Sequence, residues 1–471
     1  MAGDRVASEM MRAELLLPEM LLAGGALVVL LGGSFTPRHR QWILRGVAAA
    51  VCGTVIITAA VALSAPANTA FDGTYAVDTG TGVARILAAT GCLLVLALAG
   101  DELAGSARES DAYALLLFAT AGAVLLAGAT DLLALVVGFL LASIPLYALI
   151  GLAGTGAGAE AVLKTYLLGA LFGILLLLGV TLLAGITGTT AYADLAARLP
   201  DAPRSVVTAA VVAVIGGLMF KAGGFPAHFW VPDAAQGGTA TAATFLTTVP
   251  KIGALLAVHR LAEVLPGSSN WPTVVATLAV ASMLLGNLAA YWQTDVRRLL
   301  GWSTVSQVGY LLVPVVATGR SDLAQPSLLV YLAGYTVTNV AAFAVTAALP
   351  RHRGRTSWRG VAAAAPWLAA ALVVALLGLV GTPPTAVFVG KLTAASAAWD
   401  GGYAWLAVVV FINSALSLFY YLRWLIPLYQ PWAVAPPDRP GRWSTTVAVV
   451  AAVLSLAVGI AAGLVWRAAG G

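Results

Sequence analysis

The sequence has very few charged side chains, very few lysines and almost no cysteine. Of its 471 residues, 10% are Asp, Glu, Lys or Arg, and 60% are hydrophobic. A water-soluble domain carries about 25% charged residues, so most of this protein's surface does not face water. Soluble enzymes, nucleic-acid-binding proteins and disordered chains are therefore excluded. The formal net charge of +5 does not indicate an acidic partner, because the arginines are scattered over many segments.

The only two cysteines of the sequence, Cys52 and Cys92, both lie in apolar runs. Two such cysteines provide no disulfide framework, and no metal-ligand spacing is present in the sequence. We therefore interpret both cysteines as small core residues and predict no metal site in this chain.

Long hydrophobic runs dominate the sequence instead. A helix needs about 20 apolar residues to cross the hydrocarbon core of a bilayer. Turn and charge residues separate the runs, as at 36–38 (Thr-Pro-Arg) and 436–438 (Pro-Pro-Asp). The sequence therefore predicts an all-α polytopic membrane protein with about 14 transmembrane helices. The stretches lie at roughly 15–35, 43–64, 82–100, 112–128, 131–152, 161–185, 205–223, 240–263, 273–291, 297–317, 327–349, 366–397, 403–429 and 444–467.

The arginines also indicate an orientation. The first stretch is too long for a cleaved signal peptide, and no convincing small-residue cleavage site follows it directly. Cytoplasmic loops carry an excess of Arg and Lys. If the N-terminus is outside, the inside loops hold 12 arginines and the outside segments hold eight. This bias predicts a multi-pass protein of the inner (plasma) membrane of a cell with both termini outside.

The four lysines are placed differently from the 21 arginines. Nearly all arginines flank the apolar stretches, whereas Lys164, Lys221, Lys251 and Lys391 lie within them or at their edges. An intramembrane charge costs at least about 2.5–3.5 kcal/mol on insertion scales. Arginine stays charged, but a buried lysine can release and rebind a proton, so the pattern indicates proton carriers. Pairing with a carboxylate is the alternative, and Lys164 has Glu160 one turn away.

Two stretches carry helix-breaking residues beside a lysine. The run 223–226 (Gly-Gly-Phe-Pro) follows Lys221, and the run 381–384 (Gly-Thr-Pro-Pro) precedes Lys391. Proline removes a backbone donor, and unwound backbone inside a membrane is tolerated only against protein or a wet cavity. A broken helix in each half of a chain is typical of transporters built from two repeats. We therefore predict two repeats of five helices, with helices 7 and 12 broken.

The predicted organisation has four parts. They are a three-helix segment at 1–110, a first repeat of helices 4–8 at 111–263, a second repeat of helices 9–13 at 264–430, and a C-terminal helix at 431–471. Two histidines lie in the first repeat. His228 follows the first break, and a proton-relay role and a packing or capping role are equally open for it. His259 lies near the end of its stretch, where interfacial anchoring is as consistent as a relay.

Six segments together resemble a known family, the antiporter-like membrane subunits of respiratory complex I and the related Mrp cation/proton antiporters. The HFW-x-PD element is specific to this superfamily, and the VPK element with a lysine in the twelfth stretch favours the N (ND2) type. The resemblance spans most of the chain. The segments are 113–118 (YALLLF), 163–170 (LKTYLLGA), 228–233 (HFWVPD), 249–251 (VPK), 297–303 (RRLLGWS) and 383–391 (PPTAVFVGK).

The resemblance implies 14 helices, two inverted five-helix repeats and a line of titratable groups at mid-membrane. In this reading Lys221 is the lysine of helix 7, Lys251 the central lysine of helix 8 and Lys391 the exit-side lysine of helix 12. Lys164 and His228 match accessory relay positions. The implied function is proton translocation in an NADH–quinone oxidoreductase, among other membrane subunits. NADH, FMN, iron–sulfur clusters and quinone are expected in those partner subunits, and no cofactor is expected in this chain.

The sequence departs from the family at three places. Leu140 stands where the family has a glutamate in helix 5, Gln307 replaces a histidine in helix 10, and the run 236–239 (Gln-Gly-Gly-Thr) lacks an expected acidic residue. Either coupling in the first half is altered or the subunit pumps poorly. Three functions therefore stay open: a proton-translocating subunit of a complex-I-like enzyme, an Mrp-type antiporter or membrane hydrogenase subunit, and a pumping-impaired scaffold paralogue.

Overall fold

The computed structural model describes residues 12–431 and 439–470. Two features used above, Arg5 among the outside arginines and the boundary at 436–438, lie outside the described residues. Within the described chain, α-helices follow one another because a backbone in lipid must satisfy its polar groups internally. The predicted all-α polytopic fold is confirmed.

The helices are numbered here in chain order. They are α1 Leu17–Phe35, α2 Trp42–Ala62, α3 Thr79–Glu102, α4 Glu109–Gly128, α5 Leu132–Gly151, α6 Gly156–Thr187, α7 Tyr192–Arg198, α8 Arg204–Ala222, α9 Trp230–Gly237, α10 Ala240–Leu246, α11 Val249–Val264, α12 Trp271–Tyr291, α13 Val296–Val316, α14 Ala324–Ala348, α15 Val361–Ala364, α16 Pro366–Val380, α17 Ala386–Asp400, α18 Ala404–Leu428, α19 Arg442–Ile460 and α20 Ala462–Ala468.

Short elements connect some of these helices. Strands β1 (Asn68–Ala70) and β2 (Tyr75–Val77) form an antiparallel hairpin between α2 and α3. Single 3₁₀ turns lie at Ala13–Leu16, Arg38–Arg40, Leu199–Asp201, Gly267–Ser269 and Arg355–Trp358.

Thirteen helical segments of the described chain are long and apolar enough to cross a membrane, with α10 and α11 together forming one of them. The predicted stretch at 366–397 is not a single helix. It divides into α16 and α17, of 15 residues each, so neither half spans a bilayer alone. This division accounts for the difference between the 14 predicted stretches and the 13 long segments.

The central helices are α10–α11, α13 and α14, whose apolar windows are almost completely buried inside the chain. The outer helices α1, α2, α6 and α19 bury only about a third of theirs or less. A helix that is hydrophobic all round and exposed in this way faces lipid or a partner subunit. Polar side chains on the central helices are therefore shielded from lipid, and these helices carry the candidate site.

α5 and α13 begin with the same local structure, an aspartate N-cap followed by a residue that bonds to a distant loop; we call these two N-termini the matched corners. Asp131 accepts hydrogen bonds from the backbone at the start of α5, and Asp295 does the same at the start of α13. The residue after each aspartate donates its N–H to a distant loop carbonyl, that of Thr190 or Arg353, at 2.9 Å in both cases. Both aspartates are N-caps, which supply an acceptor to otherwise unpaired helix donors. The repeat arrangement and its boundaries stay a prediction, which these corners support.

A buried ion pair joins α1 to α3. Arg85, one of the eight arginines counted in the outside segments, lies inside α3 and is fully buried. Its guanidinium donates to both carboxylate oxygens of Glu19 at 2.8 Å, and the Tyr75 hydroxyl donates to the same carboxylate at 2.6 Å. Such bidentate pairs are geometrically specific, so this contact fixes the first helix against the third.

Two carboxylates in the last turn of α3 accept hydrogen bonds from the first turns of two other helices. The Glu102 carboxylate accepts from the backbone N–H groups of Ala240 and Thr241, both at 2.7 Å, at the start of α10. Asp101 accepts from the N–H of Ser444 at 2.7 Å, in the first turn of α19. A carboxylate at a helix N-terminus satisfies free donors and complements the helix dipole.

Candidate functional site

Two helix interruptions frame the site, and both begin with a glycine in the left-handed conformation. Gly223 ends α8 with a φ of 78°, and Gly381 ends α16 with a φ of 91°. A left-handed residue after the last turn is a common way to stop a helix, and glycine adopts it without steric cost. The chain resumes as α9 at Trp230 and as α17 at Ala386. The structure therefore breaks the helices at the predicted glycine and proline runs.

Lys221 lies in the last turn of α8 and is buried. Its Nζ is 5.3 Å from the centre of the Phe139 ring and 5.9 Å from that of Phe220. No hydrogen-bond partner for this nitrogen is found in the described chain. Its surroundings are therefore aromatic faces, which attract a cation without accepting a conventional hydrogen bond.

Leu140, at the position of the expected glutamate, has no carboxylate that could pair with Lys221. Leu140 is 45% exposed, on the outer surface of α5, while its neighbour Phe139 is buried against the lysine. Within residues 12–431 and 439–470, none of the ion pairs involves Lys221, Lys251 or Lys391.

Lys251 lies in the first turn of α11, and it is completely buried. Its Nζ donates to the carbonyl of Leu246, the last residue of α10, at 3.0 Å. That carbonyl is free because α10 ends there and Pro250, which lacks an N–H, begins the next helix. A methyl group placed on Gly223 would lie 3.5 Å from the same amine, so Lys251 packs against the first interruption.

Lys391 lies in the second turn of α17 and is also buried. Its Nζ donates to the carbonyls of Leu379 at 3.2 Å and Val380 at 2.9 Å, at the end of α16, and to the Ser414 hydroxyl at 3.0 Å. The ring of Tyr310 lies 4.0 Å from this nitrogen. Three acceptors match the three N–H donors of an ammonium group, and two of them belong to the negative end of a helix dipole.

Gln307 on α13 joins the second interruption to the centre of the chain. Its Nε2 donates at 2.9 Å to the Leu379 carbonyl, the same oxygen that accepts from Lys391. Its Oε1 accepts from the Tyr331 hydroxyl at 2.8 Å. The amide that replaces the expected histidine is therefore fixed by hydrogen bonds at both of its ends.

A second tyrosine on α14 reaches the junction between α10 and α11. The Tyr335 hydroxyl donates to the Thr247 carbonyl at 2.6 Å, and it lies 3.4 Å from the Thr304 hydroxyl. Asn339 donates to the Thr247 hydroxyl at 2.9 Å. Tyr335 lies one helical turn from Tyr331 on α14, which puts the bonds at Thr247 next to those at Leu379, although no hydrogen bond between the two groups is found among the described residues. We call this set the central network: Lys251, Thr247, Tyr335, Thr304, Gln307, Tyr331, Leu379 and Lys391.

His228 lies in the interruption before α9 and is completely buried among aromatic rings. Its ring centre is 4.2 Å from that of Phe229, 5.5 Å from Trp302 and 6.0 Å from Phe225. Neither ring nitrogen has a hydrogen-bond partner among the described residues. The structure places His228 near the break, as the sequence does, but does not connect it to a lysine by a hydrogen bond.

Lys164 is separated from the three buried lysines by its environment. Its side chain is 46% exposed and pairs with Glu160 at 2.5 Å, as the local spacing suggests, and with Asp233 at 2.8 Å. Asp233 also pairs with Arg298 at the start of α13. The structure thus puts Lys221 and Lys251 at the first interruption and Lys391 at the second, and it leaves Lys164 in a partly exposed ion-pair cluster.

Sequence reasoning overlooked the tyrosines of the central network, Tyr331 and Tyr335, and the neighbouring Tyr310. All three are fully buried in α13 and α14, which are predominantly apolar. Buried tyrosine hydroxyls need partners, so hydroxyl groups spaced four residues apart in the eleventh stretch were the available signal. Gln307 was noticed only as a departure from the family.

Comparisons with known proteins agree with this architecture. The sequence profile of the family described as "NADH:quinone oxidoreductase/Mrp antiporter, TM" matches residues 129–417. NADH-quinone oxidoreductase subunit N of Mycobacterium sp. (strain JLS) is 62% identical over 462 residues, which cover 98% of each chain. NADH-quinone oxidoreductase subunit N 1 of Streptomyces griseus is 48% identical and covers 97% of each chain.

Solved structures have the same fold. A chain of respiratory complex I from Thermus thermophilus matches with a TM-score of 0.82 and 31% identity, covering 96% of this chain and 99% of that one. A chain of the Mrp complex from Dietzia sp. DQ12-45-1b matches with a TM-score of 0.81, covering 97% of this chain and 96% of that one. Its identity of 23% indicates a shared fold alone.

Proposed function

Because the chain belongs to the NADH:quinone oxidoreductase/Mrp antiporter membrane family, we propose that it moves protons across the bilayer along Lys221, Lys251 and Lys391. It does so as the N-type membrane subunit of a complex-I-like NADH–quinone oxidoreductase. The relatives of highest identity reported above carry the subunit N name over nearly the full length. Other membrane subunits are its partners, and redox energy comes from subunits elsewhere in the assembly.

One observation carries the proposal: three buried primary amines lie at helix junctions, and none of them forms an ion pair with a residue that the structure describes. Burying an amine in a membrane without a counter-charge is costly, so such residues mark ion and proton pathways. Arginine or a structural ion pair would not supply a group that exchanges its proton. Backbone carbonyls at helix ends accept from two of these amines, Lys251 and Lys391, which supports the proposal.

The central network supports lateral transfer between Lys251 and Lys391. Tyrosine and threonine hydroxyls both donate and accept, so they can pass a proton between neighbours. The Gln307 amide does not titrate, and in the proposed pathway it holds Tyr331 and the Leu379 carbonyl in position instead. His228 is an additional relay candidate. Lys164 is left out of the pathway, because its amine is exposed and already bonded to two carboxylates.

A second function is favoured by a specific feature of the first half. Among the described residues Lys221 has no carboxylate partner, and Leu140 occupies the position of the expected glutamate. A scaffold subunit that no longer pumps would show this loss. No comparable feature favours an Mrp antiporter, since the Dietzia chain shares the fold alone.

The test uses the whole complex in proteoliposomes, with proton uptake and NADH oxidation measured together. Lys251→Ala is expected to abolish the proton uptake that depends on this subunit. Lys164→Ala is the matched control, because it removes an amine of the same type outside the proposed pathway, and it is expected to pump normally.

Unchanged uptake and unchanged NADH oxidation in Lys251→Ala, Lys221→Ala and Lys391→Ala would favour the scaffold function. Leu140→Glu adds a second measurement, because a gain in uptake would indicate that the loss of the carboxylate limits pumping. No gain, together with silent lysine variants, would overturn the proposal.

The chain is a multi-pass membrane protein. We place it in the plasma membrane with both termini outside, supported by the excess of arginine in the loops on the opposite face. Cysteines introduced at the exposed positions Ser357, predicted inside, and Ser268, predicted outside, would test this with a membrane-impermeant thiol reagent on intact cells. Only Ser268→Cys is expected to react.

A further inference from the structure

A polar cavity of about 480 Å³ lies where the ends of α11, α13 and α14 meet. Its walls include His259 and Glu263 from α11, Thr318 and Asp322 from the segment after α13, and Gln325 from α14. A cavity of this size, with several polar groups, has room for a cluster of water molecules. The cavity opens on the face of the helix bundle where α11 ends, and we predict that this face is outside.

Each of the three helices runs from the central network to this cavity. On α11, His259 comes eight residues after Lys251, which is about 12 Å along a helix. Thr318 lies just after the end of α13, eleven residues beyond Gln307, and on α14 Gln325 precedes Tyr331 by less than two turns. The cavity is therefore aligned with the polar interior, along the axis on which a proton would leave it.

His259 is the innermost titratable group of the cavity, and it is buried. Its Nδ1 is 2.9 Å from the Thr318 hydroxyl, and its Nε2 is 3.5 Å from the carboxylate of Glu263, which is 48% exposed. An imidazole can accept a proton at one nitrogen and release another from the second. The side chain thus has one nitrogen toward each of two groups that also line the cavity.

Charged groups around His259 belong to several elements. Arg260 follows it on α11 and is held by Asp78 at 2.7 Å, at the start of α3. Arg320 and Asp322 come from the segment after α13. Burial opposes ionisation of Asp78, but the hydrogen bond and charge of Arg260 outweigh it and hold the pKa of this carboxyl below its usual value. Arg260 is therefore neutralised, and Glu263 is the carboxylate nearest to the histidine.

We propose that this cavity is the outer mouth of the proton pathway and that His259 is the relay residue at its inner end, between Lys251 and Glu263. The inference rests on the proposed function, to which it adds an exit for the first half of the chain. The proton received at one ring nitrogen leaves from the other, so the imidazole ends each transfer neutral but as the other tautomer, and a rotation of the ring must restore the first tautomer before the next transfer.

Leu255 closes the route in the present conformation. It lies on α11 midway between Lys251 and His259, on the same face of the helix, and it is completely buried. The amine of Lys251 is directed away from it, toward the Leu246 carbonyl. An apolar barrier of this kind keeps the two sides of a membrane separate, and transfer requires its displacement or the reorientation of the lysine.

The first experiment measures proton uptake and NADH oxidation by the complete complex in proteoliposomes carrying His259→Gln. Glutamine keeps a hydrogen-bonding group beside Thr318 but cannot carry a proton. We expect loss of the proton uptake that depends on Lys251. His39→Gln is the matched control, because it makes the same chemical change at an exposed histidine of the Arg38–Arg40 turn, outside the proposed pathway, so uptake is expected to stay unchanged.

The second experiment tests the mouth without relying on the histidine. Ser321→Cys lines the cavity, and Ser268→Cys lies in the neighbouring loop between α11 and α12, outside the cavity lining. Both are made with Cys52→Ala and Cys92→Ala, which remove the native thiols. A bulky membrane-impermeant thiol reagent is expected to block uptake in Ser321→Cys and to leave Ser268→Cys unaffected.

The outcomes separate the two proposals. If Lys251→Ala loses uptake while His259→Gln and the modified Ser321→Cys protein keep it, the cavity is not the exit and only this inference fails. If Lys251→Ala itself pumps normally, the proposed function fails first. Loss of uptake in His259→Gln and in modified Ser321→Cys, but not in the controls, supports the exit.

Discussion

The two helix interruptions treat their lysines differently. Lys391 has three oxygen acceptors at 3.2 Å or less, two of them carbonyls at the end of α16. Lys221 lies at the end of α8, beside two aromatic rings, and its amine has no hydrogen-bond partner in the described chain. Both are buried lysines next to a left-handed glycine, so composition alone does not explain the difference.

The backbone does not account for the difference, because its hydrogen bonds correspond at the two interruptions. Gly223 donates to Met219 and Phe220, and Gly381 donates to Leu377 and Gly378, four and three residues earlier in each case. Lys391 approaches the end of α16 from the following helix, α17, so its amine meets the last two carbonyls, those of Leu379 and Val380. Lys221 lies in the last turn of α8 itself, and a helical side chain points back toward the N-terminus, away from the free carbonyls at that end.

The largest expected effect comes from replacing each lysine with methionine. Lys391→Met leaves the buried Val380 carbonyl without this donor, which costs about 1–3 kcal/mol, while the Leu379 carbonyl keeps the amide of Gln307. Lys221→Met removes an amine for which no hydrogen-bond partner is found in the described chain, so the stability of this variant should be unchanged or higher. Both variants are expected to lose proton uptake. Thermal denaturation of this subunit within the purified complex measures the difference.

Equal destabilisation by both methionine variants would contradict the comparison, since it would mean that Lys221 has acceptors of its own. Met219→Leu is a suitable control for packing near Lys221, because Met219 is a buried neighbour without charge.

The next largest effect should come from Gln307. Gln307→Leu removes the donor to the Leu379 carbonyl and the acceptor for Tyr331. We expect a loss of about 1–3 kcal/mol and reduced proton uptake, because two buried partners lose their bonds. Gln307→His retains one hydrogen-bonding nitrogen and adds a titratable group, so it should pump at least as fast as the native chain. Wild-type uptake in Gln307→Leu would show that the central network is not the lateral route.

The matched corners of the two halves should differ less. Asp131→Ala and Asp295→Ala each remove an N-cap, which costs about 1 kcal/mol. Asp295 also pairs with Arg353 at 2.8 Å, whereas Asp131 accepts from the Thr190 hydroxyl at 2.6 Å. The Asp295 variant should lose up to about 1 kcal/mol more, the value of a partly exposed ion pair. Identical melting curves would indicate that the Arg353 contact contributes nothing.

The smallest effect is expected for Lys164→Gln. The amine is exposed and its partner Asp233 keeps Arg298, so the free energy of unfolding should fall by about 1 kcal/mol or less. Proton uptake should stay close to that of the native chain. A loss as complete as that of Lys251→Ala would return Lys164 to the pathway.

Much of the architecture could be predicted from the sequence. Apolar runs give the helices, and the glycine and proline runs after Lys221 and before Lys391 give the interruptions, because these signals act locally. The assignment of acceptors could not be predicted, since the partners of Lys391 include Ser414 on another helix. The exposure of Lys164 and the burial of Arg85 depend in the same way on which face of a helix meets its neighbours.

The pair formed by Glu19 and Arg85 has a consequence for biogenesis. Glu19 enters the membrane with the first helix, while its cation arrives only with the third. During synthesis the Glu19 carboxylate therefore lacks Arg85 until the third helix is made, and an unpaired carboxylate in lipid is unfavourable. The first helix should settle into its final position only when the third is inserted, so these helices leave the translocon as one assembly unit rather than singly.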